Sequence, residues 1–279
     1  MQVPIPEKLL AIVAGEGEAA DLAEAALLVA TTAYPDLDVA HHLGKVRDLA
    51  GMLSGRLAPE ATVQQKLTAI NDLLYGELKY TPDAANYYDP RNSFLNDVID
   101  RARGIPITMS VLYIQLGRAL GLELDGVSFP GHFLVRCEVD GGVVVIDAYN
   151  HGTSLSLDDL RDRLQQSQGA EVRADSVLSL LAPAHPHDIV VRMLRNLKGI
   201  YLDQRKHAEA LTVIEWLVHL EPESAPEVRD RGLVFEELEC FRAALTDYEN
   251  YLRLVPDADD GETIRSRVLD MRRAASRLN

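Results

Sequence analysis

At 279 residues, 47% hydrophobic and 25% charged, the chain is long enough for one large or two moderate globular domains. Lys and Arg number 28 against 43 Asp and Glu, and the resulting net charge of −15 repels a phosphate backbone and argues against nucleic-acid binding. There is no apolar window of roughly 18 residues, no basic-then-apolar leader in Met1 to Glu7, and no cysteine besides Cys137 and Cys240; these features point away from a membrane span, secretion or a disulfide framework and toward a reducing cytoplasm.

Taken in chain order, the first segment (1–57) is rich in Ala and Leu and predicts helices over Glu18 to Thr32 and Val39 to Met52, separated by Tyr34-Pro35-Asp36. His41 and His42 point to different faces of the second helix and read as surface polar residues. The second segment (58–182) mixes types. Ala61 to Tyr75 is helical, with Val63, Leu67, Ile70 and Leu74 on one stripe. A polar loop follows, Tyr80 to Asn92, after which Ser93 is placed to cap a helix from Phe94 to Arg101. Pro106 suits the first position of a helix running to Leu120, apolar nearly all round and therefore buried, with Gly121 ending it.

The period then changes to two. Phe133, Val135, Cys137 and Val139 face one way; His132, Leu134, Arg136 and Glu138 face the other. Asp140-Gly141 signals a hairpin. With these two as the loop, Val139 pairs with Gly142, and Asp147 lies diagonal to His132 on the same face; a three-residue loop would put it on the opposite face. Asn150-His151-Gly152 reads as a turn, with His151 a minor alternative base.

The third segment (186–279) is helical and repeats. Leu194, Tyr201, Ala210, Leu211, Ile214 and Pro222 recur 34 residues later as Val228, Phe235, Ala244, Leu245, Tyr248 and Pro256. This is the tetratricopeptide period, with Tyr201, Ala210, Phe235 and Ala244 at the repeat interface. The glycine expected in the first helix is Lys198 in one copy and Gly232 in the other. Two copies do not make a stable solenoid alone, so the first is expected to pack on the core and Gly261 to Leu278 to cap the array.

Tyr87-Tyr88-Asp89-Pro90-Arg91-Asn92-Ser93, Arg103-Gly104-Ile105-Pro106-Ile107-Thr108, Phe129-Pro130-Gly131-His132 and Ile146-Asp147-Ala148 together resemble a bacterial family that joins a transglutaminase-like core to tetratricopeptide repeats. The resemblance covers residues 35 to 275 or so. It implies an α+β, helix-dominated fold: a transglutaminase-like, papain-like core with a small antiparallel sheet, then an all-α repeat. It also carries a histidine and an aspartate over to His132 and Asp147. Counting back from Arg118-Ala119-Leu120-Gly121, the family's nucleophilic cysteine falls on Pro106, which has no sulfur.

Without that thiol the chemistry has weak substitutes. Cys137 is mid-strand on the face opposite His132 and reads as a small buried apolar group. Thr108 and Ser110 lie in the first turns of the helix, but a hydroxyl needs a stronger base than a thiol and is ordinarily satisfied by backbone carbonyls. Asp89, Arg91 and Asn92 divide between turn formation and ligand binding. The histidines lack metal-ligand spacing, so no metal or cofactor is expected. The expected function is a regulatory, protein-binding scaffold acting through the repeats, whose acidic stretch from Glu221 to Asp260 would suit a basic peptide if it lined a concave face. The alternative is a hydrolase or acyltransferase of amide bonds using His132 and Asp147 with a hydroxyl or water; a metal-dependent hydrolase is a weaker third.

Overall fold

The computed structural model describes residues 3–15, 21–168 and 174–277. It is helix-dominated α+β. Contacts divide the chain into two compact units: residues 6–193 form one, and residues 1–5 with 194–279 form the other.

The larger unit begins with α1 (Glu7–Val13), α2 (Leu22–Ala30), α3 (Val39–Ser54) and α4 (Val63–Asn71). Each of the last three starts where a side chain satisfies an orphan backbone N–H: Asp21 accepts from Glu24 N, Asp38 from His41 N, and Thr62 and Gln65 close a reciprocal capping box. The part of the first predicted helix before Asp21 lies outside the described residues. His42 departs from expectation: it is buried, with Nδ1 3.1 Å from Asp38 O and Nε2 3.5 Å from Asp100 Oδ2.

The helix begun by α4 widens into a π-helical turn at Asp72–Glu77 instead of ending at Tyr75. Such turns re-aim side chains, and this one carries Tyr75, whose hydroxyl donates to Ala148 O at 2.6 Å. Within the polar loop, β1 (Thr81–Pro82) pairs in parallel with β2 (Arg103–Gly104). Ser93 does not cap the next helix. It closes a 3-10 turn (Pro90–Ser93) that Asp89 initiates by accepting from Arg91 N, and Phe94 precedes α5 (Leu95–Arg101) with no side-chain cap.

Pro106 opens α6 (Pro106–Ala119), and residues from Pro106 to Ile114 are all buried. A four-stranded antiparallel sheet follows in sequential order: β3 (Leu124–Val127), β4 (Leu134–Val139), β5 (Gly142–Asp147) and β6 (Thr153–Leu155). Val139 pairs with Gly142 across the two-residue loop, and Val135 with Ile146. Val127, Phe129, Leu134 and Val145 of the sheet region pack with Leu160 and Leu164 of α7 (Leu157–Gln168) and Val177 of α8 (Ala174–Ser179).

The division between units falls within α9 (Pro186–Asp203). The smaller unit continues with α10 (His207–Leu220), α11 (Ala225–Glu237), α12 (Phe241–Leu254) and α13 (Gly261–Arg277). Ala210 and Ala244 are fully buried, Tyr201 is 4% exposed, and Phe235 is half-buried against a core of Val228, Ala244, Tyr248 and Tyr251. Ile264, Val268 and Met271 of α13 close that core as a capping helix would. A Cβ on Gly232 would lie 2.8 Å from the Tyr248 ring, so glycine permits the close approach of α11 and α12. In the first copy Lys198 extends instead to Glu227 and Asp230, 2.7 Å from each.

Candidate functional site

The two-residue loop sets the parity of β4 and β5, and this brings His132 and Asp147 together across the hairpin. His132 Nε2 lies 2.9 Å from Asp147 Oδ1. Asp147 is 1% exposed, and its oxygens are fully engaged: Oδ1 also accepts from Asn150 N at 3.1 Å, and Oδ2 pairs with Arg163 Nη1 at 2.8 Å. Burial pushes the Asp147 carboxyl up, but His132 and Arg163 outweigh it and hold the group below the usual carboxylate range. An ionised Asp147 fixes Nε2 as the protonated nitrogen of a neutral His132, leaving Nδ1 as the basic atom. The histidine side chain is 18% exposed.

Several groups hold this pair in place. Arg192 of α9 donates to His132 O at 2.8 Å and to Phe129 O at 3.3 Å, and its guanidinium lies 5.5 Å from the Phe133 ring centre. The Tyr149 ring stands edge-on to His132 at 6.0 Å. Tyr113 donates to Asn71 Oδ1 at 3.0 Å, and Asn71 Nδ2 donates to Gly152 O at 3.3 Å, anchoring the turn after Asp147. In that turn Asn150 N and Gly152 N both donate to Asp147 O, and His151 packs edge-on to Tyr75 at 5.3 Å, which leaves it no part beside His132.

The hydroxyl candidates are directed elsewhere. Thr108 and Ser110 are fully buried. Thr108 Oγ1 donates to Asn92 O at 2.8 Å and accepts from Ile105 N at 3.2 Å; Ser110 Oγ donates to Phe133 O at 3.4 Å. Neither is hydrogen-bonded to His132. Cys137 is also fully buried, and burial raises its thiol pKa, the reverse of an activated nucleophile.

Asp89, Arg91 and Asn92 form a separate constellation. Asp89 takes a forked interaction from Arg91. Asn92, fully buried, donates to Asn86 O at 2.8 Å and accepts from Arg101 Nη1 at 3.3 Å, while Arg101 also reaches Asp83 at 3.4 Å. Their polar atoms hold the 3-10 turn and seat Thr108 at the start of α6.

Arg163, Arg192, Tyr149, Asn71 and Tyr75 escaped the reading of the sequence. Tyr75 could have been flagged only as an extra polar group ending an apolar stripe; the others sit in segments with no motif. Among the described residues no group of three or more His, Cys, Asp or Glu side chains is arranged to hold a metal ion.

The acidic stretch of the smaller unit is mostly internally paired rather than open. Glu227 binds Arg195 and Lys198, Asp247 binds Arg231, Glu236 binds Arg267, Glu249 binds Arg272, and Asp260 binds Arg229.

A transglutaminase-like superfamily model matches residues 40–195, and a tetratricopeptide repeat model matches residues 197–268. The chain belongs to the transglutaminase-like superfamily and to the UPF0162 family. It is 37% identical to a UPF0162 protein of Xylella fastidiosa (strain Temecula1) over 92% of both chains. A Vibrio cholerae UPF0162 protein is 28% identical over 90% of this chain and 92% of its own length. Protein SirB1 of Salmonella typhimurium is 27% identical over 84% and 86%. The solved structure of menin aligns with 96% of this chain and 75% of its own at a TM-score of 0.43 and 15% identity, too loose a likeness to bear on fold or function. No described helix is long and apolar enough to cross a membrane.

Proposed function

We propose that this protein is a regulatory, protein-binding scaffold in which the transglutaminase-like core keeps a His–Asp pair without a nucleophile, and the repeat module engages a protein partner in the cytoplasm. One observation carries the reading: Pro106 stands at the head of α6, where the resemblance puts a cysteine, and the nearby hydroxyls of Thr108 and Ser110 are bonded to backbone carbonyls. An imidazole held by a buried carboxylate can accept a proton, but the acyl-enzyme route needs an atom that attacks. The presence of tetratricopeptide repeats supports partner binding.

A second reading, a hydrolase using water, is favoured by one feature: His132 is part exposed, and Nδ1 faces away from its aspartate. There His132 would deprotonate a water that attacks an amide carbonyl.

Affinity purification separates the two. Wild type and His132→Ala are expected to recover the same partner protein, Ala244→Glu to lose it, and none to turn over peptide amides. Turnover by the wild type that disappears in His132→Ala would replace the scaffold by the hydrolase.

A further inference from the structure

In the smaller unit a cavity of about 610 Å³ lies between the extended segment Val3-Pro4-Ile5 and residues of α10 and α11, among them Trp216, His219 and Arg231. Its volume falls in the ordinary range of ligand pockets. The segment bordering it is held lightly. Trp216 Nε1 donates to Val3 O at 2.8 Å, while Val3 and Ile5 are half-buried and Pro4 is exposed. With Pro4 and Pro6 the strap is biased toward an extended polyproline-type backbone, so it gives up little entropy on docking and needs few contacts to stay.

The chemistry of the cavity specifies what else it would take. The Arg231 guanidinium makes two 2.8 Å bonds to Asp247, and the negative charge of Glu215 also acts on it. No anion is therefore required. What remains is an indole N–H directed at a peptide carbonyl beside apolar surface from Trp216, Val218 and Pro222. An aromatic group with a single donor, facing a proline-containing strand, is the usual means of recognising an extended proline-rich peptide.

We propose that this cavity docks an extended, proline-containing aliphatic peptide of a partner protein, and that the chain's own Val3-Pro4-Ile5 strap is its built-in competitor. The inference rests on the reading of the repeat module as a partner-binding unit and adds the chemistry of the partner and a means of regulating it. Among the described residues, displacing the strap breaks the Trp216–Val3 hydrogen bond and exposes two half-buried side chains, so a matching peptide in trans can compete.

The test uses the full chain and a fluorescein-labelled Val-Pro-Ile-Pro peptide followed by anisotropy. A double variant, Pro4→Gly with Ile5→Ser, weakens the strap outside the cavity floor and is expected to bind the peptide about tenfold more tightly than wild type. Trp216→Phe added to that strap variant, where the competing segment is already weakened, keeps an aromatic ring but removes the indole N–H and is expected to bind about tenfold more weakly than the strap variant alone. In the wild type the indole N–H resonance of Trp216, the only tryptophan, should shift as peptide is added. A strap variant with wild-type circular dichroism and no saturable binding up to millimolar peptide would overturn the proposal, as would binding that leaves the indole resonance unmoved. If the peptide fails while partner recovery by the wild type and its loss in Ala244→Glu persist, the cavity assignment falls alone; if partner recovery fails too, the scaffold reading falls with it.

Discussion

From a buried position Asp147 holds both the Arg163 guanidinium and the His132 ring. Replacing it by Asn keeps the shape but leaves Arg163 without its acid and His132 without its anchor, and Asp147→Asn is expected to cost about 2–4 kcal/mol in urea unfolding. The pH dependence follows from the direction of the shift. A carboxyl whose pKa is depressed on folding stabilises fully above its unfolded value, near 4, and loses that stabilisation as pH falls through the folded value. Arg163→Met removes one cause of the depression. The stability gap between wild type and Arg163→Met should be widest above about pH 5 and close as the pH falls toward 2, which acid titrations of both proteins at fixed urea would read. The pairing of His132 with Asp147 was legible because a two-residue loop leaves only one parity for the strands. Arg163 and Arg192 were not, since each meets the pair through tertiary packing from helices whose local sequence carries no trace of it.

At the scale of elements, close approaches test the packing best. Gly152 has φ of +70°, and a Cβ there would lie 2.0 Å from Asn71 Oδ1. Gly152→Ala should therefore cost about 2–4 kcal/mol and loosen the turn behind Asp147. In the repeat module, Gly232→Ala places a methyl 2.8 Å from the Tyr248 ring; overpacking of this kind costs about 1–3 kcal/mol, seen as a lowered thermal midpoint. Lys198→Ala leaves the buried Glu227 with Arg195 as its ion-pair partner and should destabilise by about 1–3 kcal/mol. Helix positions, the hairpin and the 34-residue repeat were readable because hydrophobic periodicity and turn chemistry are local. The π-helical turn at Asp72–Glu77 was not, because one widened turn leaves the apolar stripe of Val63, Leu67, Ile70 and Leu74 unchanged. Ser93 misled for a similar reason: a serine before a helix is a good cap by propensity, but here the preceding 3-10 turn buries it.

For the whole molecule, the net charge of −15 is distributed differently from what composition suggests. Acids of the repeat module are largely matched by arginines and Lys198, and Glu223, Glu239, Asp257 and Asp259 remain on the surface without an ion-pair partner among the described residues. A lysine-rich peptide should bind weakly and without saturation, and lose what binding it has at 0.5 M salt; this follows from screening of isolated surface charges over roughly 10 Å or less. The most direct test of the proposed loss of acyl chemistry is intact mass spectrometry after prolonged incubation with an unactivated peptide-amide substrate, which does not acylate lysines or the exposed Cys240 on its own. A core without a nucleophile at the head of α6 predicts an unchanged mass for wild type and His132→Ala alike; a stoichiometric acyl adduct on Thr108, Ser110 or Cys137, lost in His132→Ala, would contradict it.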